Sequence, residues 1–375
     1  MKKIAIIGDS NSPHVSLRIK YFKNTNNLNY FFIEKNYLIY RQQKINFIFK
    51  VLFNLPKIKI ITILFINYFK LKKLKPDAIF LMHCDIYNIF LINLFRTKKI
   101  LSLWGNDILV EQGANKKNIS KCLLKFSLQN AEKIFCVSRE ISDRVKLIQN
   151  NIGIEPEVLF YGIDLELYDK LYDNKCKKSF FNYLNDDTFL IYSPRWCKSE
   201  YNILKIITAF IKLKNKINNI HLCLQMSTLN GKDHQYCNKI LNLIHENKLK
   251  THITLVGLLD IEERIKILNR ANLVISIPFS DGTPISLLEA MYFNKLVLCH
   301  QIPSIESIIK DNENGFLVNA NFDDQLVEKL YFIVSNYNSK NVFSNLINNA
   351  KIFVKSNANL SIEISKYKEA FLNLN

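Results

Sequence analysis

The sequence predicts an α/β protein built from two doubly wound parallel-sheet domains, and three observations carry that prediction. Short apolar runs rich in Ile, Val, Leu and Phe recur along the whole chain, each followed by a polar or glycine-containing turn and a helix-length stretch. That is the spacing of parallel strands joined by crossover helices. A chain of 375 residues with 48% hydrophobic content is long enough to bury two cores. The pattern is interrupted by one charged, aromatic and irregular stretch over 166–187, read as a linker between a first domain (1–165) and a second (188–350), with a closing helix over 351–375.

In the first domain, Lys3 to Ile7 is a strand ending at Gly8-Asp9, and Ser10-Asn11-Ser12-Pro13-His14 leads into a helical segment from Val15 to Asn24. Strand, polar turn and helix open a nucleotide-binding type of unit, although no G-x-G-x-x-G is present, so the dinucleotide fingerprint is absent. Residues 30–34 read as a second strand. From Ile45 to Lys75 apolar runs alternate with Lys, and none reaches the ~18 residues a membrane span requires. The segment therefore reads either as helices packed on a sheet or as a basic, apolar surface suited to an anionic leaflet. Ala78 to Met82 delivers His83 at its carboxyl end, and Lys98 to Leu103 delivers Trp104-Gly105-Asn106-Asp107. In a parallel sheet both clusters lie where ligands bind. Ala131 to Ser138 contains the next strand, and Glu157 to Tyr161 runs into Gly162-Ile163-Asp164.

The second domain opens with Thr188 to Tyr192, followed by Ser193-Pro194-Arg195-Trp196-Cys197-Lys198, Tyr201-Asn202 and a helix to about Lys216. His221 to Met226, Ile253 to Gly257, Leu273 to Ile277 and Leu296 to Cys299 continue the strands, and the pattern is helical from Asp324. Within Ala271 to Met291, Ser280-Asp281-Gly282 turns the chain after a doubly buried strand. Thr283 is a good N-cap and Pro284 suits the first helical position, so a helix should run through Met291. Its N-terminus presents unpaired N–H groups and partial positive charge, an anion site. Gly282 lets a ligand approach the backbone, and Asp281 and Glu289 stand in the spacing D-x7-E.

This segment resembles the donor-site motif of family-4 glycosyltransferases, retaining enzymes of the GT-B fold, usually written E-x7-E within S-x-E-G-x-P-x-x-L-L-E-A-M. Here Asp281 stands for the first Glu. Trp104 to Asp107 resembles W-G-S-D, Ala131 to Ser138 resembles A-D-x-I-x-x-x-S, Gly162-Ile163-Asp164 resembles N-G-I-D, and Glu306 to Val318 resembles E-x-I followed by x-N-G-x-L-V. The resemblance implies two Rossmann-like domains facing each other across a cleft, with the last helix returning to the first domain. It implies that Arg195 and Lys198 neutralise the donor diphosphate, with Lys198 nearer Arg195 than is usual. Glu289 would accept hydrogen bonds from ribose hydroxyls, Asp281 would contact donor-sugar hydroxyls, and Gly257, Ser280, Gly282, Thr283, Pro284, Ile285 and Ser286 would line the donor site. On the acceptor side it places Asn11, Ser12, His14, Trp104, Asn106, Asp107 and Ser138 along the cleft, with His83 as a group able to position the attacking oxygen. A helix cap carrying His14 and a structural, buried His83 are the alternatives.

The implied reaction moves a sugar from a UDP- or GDP-sugar to a hydroxyl of a glycan or lipid-linked acceptor in envelope polysaccharide or glycolipid synthesis, with retained configuration. No D-x-D motif for a Mg²⁺ diphosphate is present, so the expectation is metal-independent catalysis with no cofactor. A GT-B-fold nucleotide-sugar epimerase is the nearest alternative. A non-catalytic polyanion or membrane binder is the alternative from another class, raised by a net charge of +18. The basic residues are dispersed and no nucleic-acid module is recognisable, so no nucleic acid is expected, while an anionic membrane surface remains a candidate partner. Eight cysteines without C-x-x-C or zinc spacing read as scattered, reduced thiols of a cytoplasmic protein, placed peripherally at the inner face of the membrane if its acceptor is lipid-linked.

Overall fold

The computed structural model describes residues 1–9, 12–23, 28–34, 56–105, 108, 118–150, 152–173, 181–226, 233–319, 323–339 and 342–374. The chain forms two compact units, Met1–Phe160 with Ser361–Asn375, and Tyr161–Leu360.

The first unit runs β1 (Lys2–Gly8), α1 (Pro13–Lys23), β2 (Leu28–Glu34), α2 (Pro56–Leu74), β3 (Ala78–Met82), α3 (Ile86–Asn93), β4 (Lys98–Leu103), α4 (Asn118–Gln129), β5 (Lys133–Cys136), α5 (Arg139–Gln149) and β6 (Glu157–Val158). The second continues with α6 (Leu165–Asp173), β7 (Phe189–Ser193), a 3-10 turn (Ser199–Tyr201), α7 (Ile203–Lys214), β8 (Ile220–Gln225), α8 (His234–Glu246), β9 (Ile253–Val256), α9 (Ile261–Arg270), β10 (Leu273–Ser276), α10 (Ile285–Tyr292), β11 (Leu296–His300), α11 (Pro303–Glu306), β12 (Phe316–Val318), α12 (Asp323–Asn336) and α13 (Ser344–Asn357). The last helix, α14 (Leu360–Leu372), packs into the first unit from Ser361 onward.

Each unit holds one six-stranded parallel sheet, ordered β2-β1-β3-β4-β5-β6 in the first and β12-β11-β10-β7-β8-β9 in the second. Strands β3 and β7 are buried along their whole length, as expected of β-branched and aromatic runs covered by helices on both faces. In the second sheet β7 is the first strand in sequence and β10 the fourth, and they lie side by side, with Leu273 opposite Ile191. Sequence order reverses there, so the crevice beyond the carboxyl ends of β7 and β10 is that sheet's ligand position. The corresponding reversal in the first sheet falls between β1 and β3, where Ile7 pairs with Leu81.

Three expectations need correction. Residues 166–173, given to the linker on their charge, belong to α6 of the second unit, which starts at Leu165 and packs Tyr168 inward at 5% exposure. Residues Phe316–Val318, quoted only for the N-G-x-L-V resemblance and not counted among the strands, pair with β11 as a sixth strand. Cys197 and Cys237 are not scattered thiols: with Cα atoms 5.9 Å apart they form a disulfide, across a sequence separation of 40 residues that no spacing rule reveals. Among the described residues no helix is long and apolar enough to cross a membrane.

Candidate active site

The second unit gathers its charged groups at the reversal point. Arg195 leaves the end of β7 and Asp281 leaves the end of β10, and their side chains meet as an ion pair at 2.7 Å. Asp281 Oδ1 also accepts the Gly282 N–H at 2.9 Å. The Arg195 guanidinium lies 4.1 Å over the ring of Tyr201, whose phenol is pushed above its ordinary pKa by burial. Backbone and amide bonds fasten the two loops together: Asn202 Nδ2 donates to Ile277 O at 2.8 Å, and Phe279 N donates to Glu200 O at 2.9 Å. Asn202 adopts φ 55°, a left-handed conformation that Asn tolerates better than most side chains, and from it α7 begins. Lys198 stands at the rim, 3.5 Å from Glu200.

Helix α10 begins one residue later than expected. Pro284 has an extended ψ (φ −74°, ψ 101°) and is therefore the N-cap itself, so the first helical residue is Ile285 and no side chain caps the helix. The N–H groups of the first turn still face the crevice beyond β10. In that turn the Ser286 hydroxyl is buried with no hydrogen-bond partner among the described residues. An orphaned hydroxyl in the first turn of a helix suits an anionic oxygen.

Glu289, one turn further along α10, is 3% exposed. Its Oε1 accepts from Tyr168 Oη at 2.5 Å and from Arg264 Nη2 at 3.1 Å. Burial works against the charge on Arg264, but the Glu289 carboxylate and Tyr168 outweigh it and raise its pKa. Burial, with the Glu289 charge added, drives the Tyr168 phenol well above its usual range, so it is a fixed donor. Neither Arg264 nor Tyr168 was singled out from the sequence. Arg264 lies in the strongly charged run IEERIKILNR, capped by the Asp260–Glu263 box, and Tyr168 lies in the stretch taken for a linker. Gly257 follows β9, and a side chain there would meet nothing within 4 Å, so open space rather than packing surrounds it. Ser280 is exposed, while Thr283, Ile285 and Ser286 are half-buried.

In the first unit, β3 and β4 deliver His83 and Trp104 side by side, with ring centroids 6.1 Å apart. His83 adopts φ 69°, a costly conformation for a side-chain-bearing residue, at the tip of its strand. The Trp104 indole N–H is occupied, donating to Ser102 Oγ at 2.8 Å, and Ser102 Oγ lies 3.1 Å from Tyr367 Oη of α14. Ser12 accepts the Ser16 N–H through its carbonyl at the start of α1, and His14 is exposed on that helix. Ser138 is fully buried and its hydroxyl caps α5 by accepting the Ile141 N–H. Asn11, Asn106 and Asp107 lie outside the described residues.

Residues 175–352 match the family model described as Glycosyl transferases group 1. An uncharacterized glycosyltransferase of Methanocaldococcus jannaschii is 22% identical over 337 residues, covering 86% of this chain and 82% of its own. A second relative is an alpha-1,4-N-acetyl-D-galactosaminyltransferase of Campylobacter jejuni, whose name specifies a diphospho-undecaprenol-linked glycan. It is 31% identical over 131 residues, 34% of each chain. Among solved structures, Anabaena HepE in complex with UDP and glucose superposes with a TM-score of 0.71 at 11% identity, covering 100% of both chains. With both sheets, the group 1 match and these relatives in view, the protein is an enzyme, a glycosyltransferase of the two-domain GT-B fold, and the segment that matches the group 1 model lies in the second unit.

Proposed function

We propose that the enzyme takes a sugar from a nucleoside diphosphate sugar, UDP- or GDP-linked, and places it with retained configuration on a hydroxyl of a lipid-linked glycan during envelope polysaccharide or glycolipid synthesis. The observation that carries this reading is the Arg195–Asp281 ion pair at the ends of the adjacent strands β7 and β10, followed in sequence by α10, whose first turn holds the orphaned Ser286 hydroxyl and whose Glu289 carboxylate is fixed by Tyr168. Cleaving the glycosyl–phosphate bond leaves its electron pair on the departing diphosphate. Arg195, Lys198 and the helix dipole are groups able to stabilise that charge without a resident metal. Glu289 then binds the ribose hydroxyls, and Asp281, which holds the Arg195 guanidinium, reaches the sugar hydroxyls. The acceptor hydroxyl attacks from the face the diphosphate leaves, and its proton passes to the leaving phosphate oxygen. His83 and Trp104 are the acceptor-side groups. HepE was solved with UDP and the Campylobacter relative is named for a polyprenyl-linked substrate, which supports both halves of the reading and a position at the inner membrane face.

A thermal-shift series with UDP, GDP, ADP and CMP, with and without EDTA, tests it. One nucleoside diphosphate should raise the melting temperature of the wild type in the presence of the chelator and leave Glu289→Ala unmoved. A wild type indifferent to all four nucleotides overturns the donor assignment.

A further inference from the structure

The helices on one side of the first unit are apolar toward water. On α2, Ile61, Phe65 and Phe69 recur every fourth residue, so they stack along one face, and they are 65%, 63% and 50% exposed. The opposite face is the buried one, and it carries a polar group, Asn67, at 1% exposure. Leu71 is buried beside it at 0% exposure, so α2 has an apolar core side and, unlike the usual amphipathic helix, aromatic and branched side chains on its solvent side as well. The patch continues across the layer. Phe90 and Leu94, at the end of α3, are 45% and 51% exposed, and Phe126 on α4 is 52% exposed. The three helices are neighbours: Tyr68 packs on Phe95 with centroids 5.3 Å apart, and Asn93 Nδ2 donates to Ser127 Oγ at 2.7 Å. Large apolar side chains exposed together on three adjacent helices mark an interaction site.

Charge says what covers it. Helices α2, α3 and α4 contain no Asp or Glu and carry lysines at 57, 59, 70, 72, 73, 121 and 125. By the helical spacing of 3.6 residues per turn, Lys72 falls on the same side of α2 as Ile61 and Phe65, and Lys72, Lys73 and Lys121 are exposed. Aromatic and branched side chains among lysines, with no acidic group, match the boundary of an anionic bilayer, where the apolar groups enter the acyl region and the ammonium groups meet lipid phosphates. A nucleic acid would be met by the lysines but not by Ile61 and Leu94, and a second copy of the chain would set lysine against lysine.

We propose that the outer faces of α2, α3 and α4 form a docking surface that seats the first unit on an anionic lipid bilayer, with Phe65 and Phe69 inserted and Lys72 and Lys73 at the headgroups. The proposal rests on the reading of a lipid-linked acceptor, which such seating would bring within reach. The experiment is co-sedimentation of the full chain with vesicles of phosphatidylcholine alone or mixed with phosphatidylglycerol. The wild type should bind the anionic vesicles and be released by salt, while F65S/F69S should lose about tenfold in partition to them, as expected for two interfacial aromatics. K72Q/K73Q should lose only the preference for anionic lipid. Both variants alter exposed positions and should keep the wild-type nucleotide-induced thermal shift, which shows that the second unit is intact. Equal binding to neutral and anionic vesicles, or undiminished binding by F65S/F69S, overturns the proposal. So does lipid-free self-association abolished by F65S/F69S, or tighter binding to DNA than to vesicles. A chain that binds anionic vesicles but responds to no nucleotide overturns the donor reading and leaves the docking surface standing.

Discussion

Glu289 has given up nearly all contact with water, and two donors on separate helices hold one of its oxygens. Tyr168 comes from α6 and Arg264 from α9, so the carboxylate is aimed before any ligand arrives. Such preorganisation favours a hydrogen-bonding partner that lacks charge and needs a fixed acceptor, as a pair of ribose hydroxyls does. Tyr168→Phe keeps the ring against Phe293 and removes only the donor. A hydrogen bond to a charged group contributes about 1.5–3 kcal/mol, so nucleotide affinity should fall roughly tenfold or more, visible by calorimetric titration as a weaker Kd and in kinetics as a higher donor KM with kcat less affected. If Kd is unchanged, Tyr168 serves packing alone. Arg195 was legible in the sequence because a cation directly after a buried strand has few structural reasons to be there. Arg264 and Tyr168 were not, because each sits among acidic neighbours in a segment that reads as a solvated surface.

Two elements carry predictions of their own. Helix α5 is capped by Ser138, whose hydroxyl is spent on the Ile141 N–H. Ser138→Ala should cost about 1 kcal/mol, read as a lower urea midpoint, and leave kcat and KM unchanged. A loss of activity without loss of stability would return Ser138 to the acceptor site. On β8, His221 is enclosed by Phe181 and Tyr183 and lies 2.8 Å from Thr254 Oγ1 through Nε2. Burial, with smaller contributions from His252 and Arg270, lowers its pKa from 6.5 to about 4. Between those values the unfolded chain binds a proton that the folded chain refuses, so stability should fall as pH drops from about 6.5 and level off near 4. His221→Gln should flatten that slope in urea titrations at pH 7 and pH 5, and an unaltered slope would assign it to other groups. The strands themselves were legible, because runs such as Ala78–Met82 are buried on both faces and so cannot alternate with polar residues. Strand β12 was not, because three residues after Gly315 are too short for a periodic signal and their pairing with Leu298 to His300 is a long-range fact. The start of α10 was misplaced by one residue, since Thr283 and Pro284 both carry N-terminal signals and sequence does not rank them.

At the scale of the molecule, the first unit is completed by the end of the chain. From Ser361 onward α14 belongs to that unit, and it brings Glu363 against Arg18 of α1. The pair is bidentate, with Nε to Oε1 at 2.6 Å and Nη2 to Oε2 at 2.5 Å, and the two side chains are 1% and 2% exposed. Around it Phe371 packs on Phe22, Tyr30 and Phe80, and Tyr367 packs on Phe135. Two charges this deeply buried contribute little net attraction, since desolvation offsets it, but either charge alone is expensive. Glu363→Leu should therefore destabilise the first unit by about 3–5 kcal/mol, whereas Arg18→Met combined with Glu363→Leu should restore most of that loss. The readout must belong to the first unit. Trp104 lies in the first unit and Trp196 in the second, and in a Trp196→Phe background urea unfolding followed by fluorescence reports the first alone. If the double variant is as unstable as Glu363→Leu, the cost comes from lost shape rather than from an uncompensated guanidinium. Recovery in the double variant would mean that the pair specifies where the last helix docks, and that the aromatic cluster around Phe371 supplies the energy that keeps it there.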